Sequence, residues 1–310
     1  MATRPLTQQE FSKKSRFMIK HGRETLTRID DSKFVSKEPL GRTLKQKKEW
    51  LTRQQNAADT VSKLAKIGNK AYGVPRITSV DVGHFRIMEE KVDGVTLTPL
   101  LFRTLNGDTR AKIIDALAQF YADIHSIDMI PNPIEYRIGD GLYVAALEGF
   151  FLGDMNKYFP KSDVKFVDKM YQKIMNVSYE SRLVLVHGDM CEDNVLYDYK
   201  TQKLNVIDFT ETGKGFLFND LLWYYPYDLG VVNQVRTQYL KYRDTRDLPE
   251  DFTDDARWEQ ISAYHKAASI LENMNETVQD LQYIDKTERK DRIKEVKTQI
   301  DELYKCERGF

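Results

Sequence analysis

Cysteine is nearly absent. The only two, Cys191 and Cys306, stand far apart and match neither a disulfide framework nor a metal-ligand spacing. Such usage suits a reducing compartment, and a cytoplasmic protein is expected. Net charge is lacking as well, with 47 basic residues against 47 acidic ones. No global field therefore draws the chain to nucleic acid or to an anionic membrane, and recognition is expected to be local. Long apolar runs are also missing. The opening stretch, MATRPLTQQEFSKKSRFMIK, carries early charge without the apolar centre of a signal peptide, and no later stretch reaches the length of a membrane span. There is no internal repeat, low-complexity tract or long linker. What the chain does have is core-forming material. Its 310 residues are 41% hydrophobic, enough for one large or two smaller domains.

The pattern of the apolar residues changes along the chain. Residues 17–20, 24–29 and 33–37 read as short strands separated by turns at His21-Gly22 and Asp30-Asp31-Ser32. Residues 44–67 contain neither Pro nor Gly, carry Leu44, Leu51, Ala58, Val61, Leu64 and Ala65, and are followed by Gly68, so one long helix is expected. Residues 77–82 and 85–92 are again strand-like and end at Asp93-Gly94. Beyond Thr96 the character is helical, most clearly in residues 108–127, where Ile113, Ile114, Leu117, Phe120, Tyr121 and Ile124 form a broad apolar face. Helices are also expected over 142–158, 163–177, 258–271 and 285–304. Strands are expected over 183–186, 195–199 and 204–207. The change places a lobe boundary near residues 91–94. The expectation is an α+β fold: an N-terminal lobe, 1–92, of five strands and one helix, then a larger, mostly helical lobe, 93–310.

Three polar residues sit where strands end. The apolar strand 183–186 runs into His187-Gly188-Asp189, Asn194 stands just before the next strand, and Asp208 follows the third, in Ile207-Asp208-Phe209. Asp and Asn are ordinary turn residues, and any one of them alone would deserve that reading. Together they offer what in-line phosphoryl transfer needs: one carboxylate, Asp189, to orient an attacking hydroxyl, and two oxygen donors, Asn194 and Asp208, to hold Mg²⁺ on nucleotide phosphates.

The run HGDMCEDN with VIDF resembles the signature of the aminoglycoside phosphotransferase and choline kinase group, whose fold is protein-kinase-like and bilobal. The resemblance implies further roles. Lys37, in Phe34-Val35-Ser36-Lys37, would contact the nucleotide phosphates, with Glu49 of the following helix, ahead of Asp59, as its partner. The hinge would be Ile87-Met88-Glu89-Glu90-Lys91-Val92, the backbone from Met88 through Glu89, Glu90 and Lys91 to Val92 holding the base. Phe120 to His125 resembles the helix that ends near a Leu-His pair. Asp220-Leu221 would brace the catalytic loop, and His187 would be structural. ATP, with GTP as the alternative, and Mg²⁺ are the implied cofactors. A monomer or weak homodimer is expected, with residues 136–168 and the C-terminal helices walling the acceptor pocket.

The departures are informative. Only Gly22 stands where protein kinases carry a Gly-rich loop, and only eleven residues separate Asp208 from Asp220. That leaves no room for a peptide-docking activation segment and favours a small-molecule hydroxyl acceptor such as an aminoglycoside, choline or a sugar. A protein kinase and a pseudokinase binding module are the rivals. Elsewhere packing or solvent accounts for the features as well or better. Gly213-Lys214-Gly215 lacks the phosphate-loop spacing. Cys191 reads as a small packing residue, and Glu192 and Asp193 serve equally as solvated charges or as contacts for a cationic substrate. Trp223, Tyr224, Tyr225 and Tyr227 suggest core more than an ammonium cage. Ile293, Val296, Ile300 and Leu303 suit packing more than a coiled coil.

Overall fold

The computed structural model describes residues 18–21, 25–29, 34–41, 43–131, 133–135, 151–175, 183–216, 220, 229–243, 248 and 253–307. In chain order its strands are β1 (Met18–His21), β2 (Thr25–Ile29), β3 (Phe34–Pro39), β4 (Tyr72–Gly73), β5 (Ile77–Asp81), β6 (Arg86–Glu90), β7 (Val95–Thr96), β8 (Ile134–Glu135), β9 (Leu183–Val186), β10 (Val195–Asp198), β11 (Lys203–Val206) and β12 (Gly213–Phe216). The helices are α1 (Leu44–Ile67), α2 (Pro99–Thr104), α3 (Gly107–Ser126), α4 (Phe151–Tyr158), α5 (Lys161–Met175), α6 (Leu229–Tyr242), α7 (Asp255–Asp280) and α8 (Lys286–Glu307). The chain forms two compact units, one of Met1–Ile134 with Val184–Lys214 and one of Glu135–Leu183 with Gly215–Phe310. The expected boundary after residue 92 follows sheet-forming against helix-forming sequence. Compaction instead keeps α2, α3 and the β10–β11 hairpin with the N-terminal sheet.

In the first unit β1, β2, β3, β6 and β5 make a five-stranded antiparallel sheet in that order. Alternation governs its faces: Val35 and Lys37 of β3, and Ile87 and Glu89 of β6, are the buried positions. Helix α1 begins with a reciprocal capping box, Thr43 accepting from the Gln46 amide while Gln46 reaches back, and stops at Gly68 in the left-handed region (φ 70°). Trp50, Gln54, Ala57, Val61 and Leu64 recur at helical spacing on its buried face, and Trp50 Nε1 donates to Thr25 Oγ1 at 3.0 Å. A second sheet, in the order β4, β11, β10, β7, lies in the same unit. Gly94 (φ 145°) passes so close to β10 that a Cβ there would stand 2.9 Å from that of Leu196, which accounts for glycine at this point.

Helix α3, capped by the Asn106 side chain on the Thr109 amide, buries Ile113, Ile114, Leu117, Phe120, Tyr121 and Ile124, the face expected from its spacing. Asp123 fastens it to β4, accepting from Tyr72 Oη at 2.8 Å and Asn69 Nδ2 at 2.9 Å.

Among its described residues the second unit is mainly helical, with only strand ends besides. Met155, Val167, Met170, Leu271, Met274, Val296, Ile300 and Leu303 meet in its core, and Phe166 stacks on Tyr304. The spaced residues of α8 thus pack within their own chain. Trp258 Nε1 donates to Asn233 Oδ1 at 2.7 Å, with the Arg236 guanidinium over its ring. Trp223, Tyr224, Tyr225 and Tyr227, expected as core more than as an ammonium cage, lie outside the described residues.

Candidate active site

The candidate loop, His187 to Asn194, and Asp208 belong to the first unit and are held by β9, β10 and β11. Gly188 takes a positive φ of 82°, turning the chain from β9 into the loop. His187 is fully buried. Its Nε2 lies 3.1 Å from the Ile207 carbonyl, which only accepts, and its Nδ1 lies 3.3 Å from the Asp189 amide, which only donates. Those partners require the hydrogen on Nε2 and engage both ring nitrogens. His187 therefore shapes the loop. Its ring packs edge-on against Phe209 at 4.7 Å and near Phe120 at 6.2 Å, and Phe120 in turn meets Tyr72 at 5.3 Å. Phe120→Ala is expected to cost about 3–5 kcal/mol and to loosen the loop. Chemical denaturation, with the transition midpoint as readout, checks this.

Asn194 locks Asp189. Its two Nδ2 hydrogens go to the Asp189 carbonyl and to Asp189 Oδ2, both at 2.8 Å, while its carbonyl accepts from the Ile207 amide at 2.9 Å. Among the described residues Asp189 Oδ1 and Asn194 Oδ1 are left without partners.

Asp208 occupies the left-handed region at φ 60°, a strained setting for a residue with a side chain. Its Oδ1 accepts from Thr210 Oγ1 at 2.6 Å and from Lys37 Nζ at 3.3 Å, which leaves Oδ2 open. The side chain remains 41% exposed, so a further ligand has room. Helix α1 secures the following turn, Gln54 Nε2 donating to Thr210 Oγ1 at 3.1 Å and Arg53 pairing with Glu211 at 3.2 Å.

Lys37 is buried and bridges Glu89 Oε1, at 3.1 Å, and Asp208. Burial works against its ammonium, yet the two carboxylates hold its pKa above the usual lysine value. For Asp208 burial likewise opposes the charge. Lys37 and the hydrogen bond from Thr210 more than offset it, and the pKa falls to about 2. A depressed carboxylate contributes stability above its unfolded value near pH 4 that is lost as pH falls toward 2. Thermal melts of nucleotide-free Asp208→Asn are accordingly expected to show a shallower acid-side loss below about pH 4 than the parent protein. An unchanged slope would count against the ion cluster.

The expected pairing of Lys37 with Glu49 does not occur. Glu49 is exposed and lies 3.9 Å from Lys45, and Asp59 pairs with Lys63 on the same helix. The carboxylate that meets Lys37 comes instead from Glu89 of β6. The expected hinge, residues 88–92, itself divides. Met88, Glu89 and Glu90 belong to β6, between β3 and β5, with their backbone engaged in the sheet, and the Glu90 amide donates to the Arg76 carbonyl. Lys91 and Val92, past the strand end, have no backbone partner among the described residues. Asp220 is buried in the second unit. Cys191 is partly buried, and burial with the neighbouring Asp189 charge pushes its thiol up to about 11, the profile of an unreactive side chain.

No group of three His, Cys, Asp or Glu side chains gathers into a metal cage among the described residues. The oxygen donors of Asn194 and Asp208 do fit a hard cation such as Mg²⁺, which needs few protein ligands when phosphates supply the rest.

The sequence matches a phosphotransferase enzyme family over residues 42–253. No curated protein matches it. Among solved structures it is similar to an ADP-bound aminoglycoside phosphotransferase, APH(2'')-Ib (TM-score 0.60, 15% identity, 93% of each chain covered). It is also similar to a choline/ethanolamine kinase family protein from Mesorhizobium loti (0.61, 13%, 98% of this chain and 95% of that one). A third likeness is to the amicoumacin kinase hAmiN in complex with AMP-PNP, Ca²⁺ and Ami (0.60, 14%, 96% and 93%). At such identities the likeness shows the fold, an α+β kinase-like one.

Proposed function

Since the chain belongs to the phosphotransferase enzyme family, we propose that it transfers the γ-phosphoryl group of ATP to a hydroxyl of a small molecule. The observation that carries this reading is the pair of locked side chains in one unit. Asn194 holds one oxygen of Asp189, Lys37 and Thr210 hold one oxygen of Asp208, and each carboxylate keeps its other oxygen open.

The open oxygen of Asp189 accepts the acceptor's hydroxyl proton as the oxygen attacks the γ-phosphorus. The new O–P bond forms as the bond to the β–γ bridging oxygen breaks, and that bonding pair leaves with ADP. Asn194 Oδ1 and Asp208 Oδ2 would hold Mg²⁺, which when bound neutralises charge on the phosphates. The Lys37 ammonium, aimed by Glu89, adds a fixed positive charge. Unpartnered backbone groups at Lys91 and Val92 suit the edge of the base. Nucleotides bound in the similar structures support the donor. Drug and metabolite kinases among them, with the short stretch from Asp208 to Asp220, support a small acceptor over a polypeptide.

The test is incubation of the purified protein with γ-labelled ATP, Mg²⁺ and a panel of aminoglycosides, amino alcohols and sugars. Label in one acceptor supports the reading. Label only in polypeptides supports a protein kinase, and nucleotide binding without any transfer supports a pseudokinase.

A further inference from the structure

The turn joining β10 to β11 lies at the opposite end of the hairpin from Asn194 and Asp208. Four residue pairs separate the ends, roughly 13 Å at strand rise. Beside this turn a pocket of ≈ 230 Å³ opens between the start of β4, α3 and the turn itself. Three lysines line it: Lys70 ahead of β4, Lys112 of α3 and Lys203 of β11. One carboxylate, Asp115, lines it too and accepts from Gln119 Nε2 at 2.8 Å. The lining thus carries two more positive charges than negative ones. Among the described residues none of the three lysines has an ion-pair partner. Lys112 Nζ donates only to Gln202 Oε1, at 3.3 Å.

The acids close by are committed elsewhere. Asp198 takes the Lys200 amide and the Thr201 hydroxyl, and Asp123 takes Tyr72 and Asn69. Tyr197 also lines the pocket. It is 3% exposed, and its hydroxyl has no hydrogen-bond partner among the described residues, although its ring packs on Tyr199. The hydroxyl, unlike the ring, is open to solvent and is free to donate to a ligand in the pocket. Ile113 and Leu204, both buried, add apolar lining.

We propose that this pocket binds a phosphate dianion, free or as the terminal group of a small phosphomonoester, at a site separate from the phosphotransfer centre. A tetrahedral dianion matches the excess of two positive charges and supplies acceptors to three ammoniums and the tyrosine hydroxyl at once. A pocket of this size holds that group with few further atoms. The walls are fixed in advance by Asp123, which ties β4 to α3, and by Asp198, which closes the turn.

Thermal-shift and calorimetric titrations of the full chain without nucleotide test this, with inorganic phosphate and phenyl phosphate as probes and chloride at matched ionic strength as control. Saturable stabilisation is expected. Lys37→Met, which alters only the phosphotransfer centre, should retain it. Lys112→Ala/Lys203→Ala should weaken it at least about tenfold, and Tyr197→Phe, which removes a single hydroxyl, several-fold. Tighter phenyl phosphate than phosphate would identify an ester as the ligand, and the reverse would identify the free ion. Either result upholds the site. No saturable binding, or binding lost in Lys37→Met and kept in the lysine double variant, would overturn it without touching the phosphotransfer reading.

Discussion

Replacing Asp189 by Ala is expected to lower phosphoryl transfer roughly 10²–10⁴-fold, the usual worth of a positioned general base, while leaving nucleotide affinity nearly unchanged. The expectation rests on which atoms touch what. Asp189 spends Oδ2 on Asn194, and none of its side-chain atoms meets Lys37, Glu89 or Asp208, the groups assigned to the phosphate side. The substitution removes the proton acceptor and one bond to the Asn194 amide, whose second bond, to the Asp189 main-chain carbonyl, survives. The loop should therefore keep its shape. Single-turnover transfer and nucleotide calorimetry on the same preparation separate the two effects. A parallel fall in affinity would mean that Asp189 organises the nucleotide site instead of the attacking hydroxyl.

The second large effect concerns Lys37 and the carboxylate that aims it. Lys37→Met is expected to reduce kcat/KM by about two to three orders of magnitude, as loss of a fixed charge near the transferring phosphoryl group does. Glu89→Gln should reproduce part of that loss, because Glu89 Oε1 lies 3.1 Å from the ammonium in a buried setting where an unbalanced charge is costly. Glu49→Gln should change nothing measurable, because Glu49 is exposed and faces Lys45 at the limit of an ion pair. The three variants compared in one steady-state assay decide which carboxylate serves Lys37. If Glu49→Gln were the damaging one, the pairing seen here would not be the working arrangement.

That choice of partner shows where reading the sequence stopped. The loop from His187 to Asn194 and the turn at Asp208 are legible because each is a local event: a polar residue at the end or the start of a short apolar strand, three times within a few dozen residues. Helices α1, α3, α5, α7 and α8 overlie stretches whose spacing marks them, residues 142–150 of the helix expected over 142–158 lie outside the described residues, and α3 buries the face its periodicity marks. The sequence pattern places Glu89 only among the backbone groups of a hinge. Its side chain meets Lys37 because β6 lies beside β3, a pairing between segments about fifty residues apart that no local pattern reports. A signal was nevertheless present. Alternation puts Ile87 and Glu89 on one face of β6 and Val35 and Lys37 on one face of β3, so an acid stood at an inward position that asked for a cation. The same sheet explains why, of residues 88–92, Lys91 and Val92 keep backbone without partners among the described residues, since β6 has a strand on either side. Thr210 and Gln54 were missed for a related reason. Their roles come from a helix packing on a turn more than 150 residues away.

The most direct test of the central claim is mass spectrometry of an acceptor panel after incubation with Mg²⁺ and ATP carrying an isotopic label in its γ-phosphoryl group. The predicted result is labelled phosphate on a hydroxyl of a small molecule with the parent protein and none with Asp189→Ala. Label confined to inorganic phosphate or to polypeptides, or equal transfer by the Asp189→Ala variant, would contradict it.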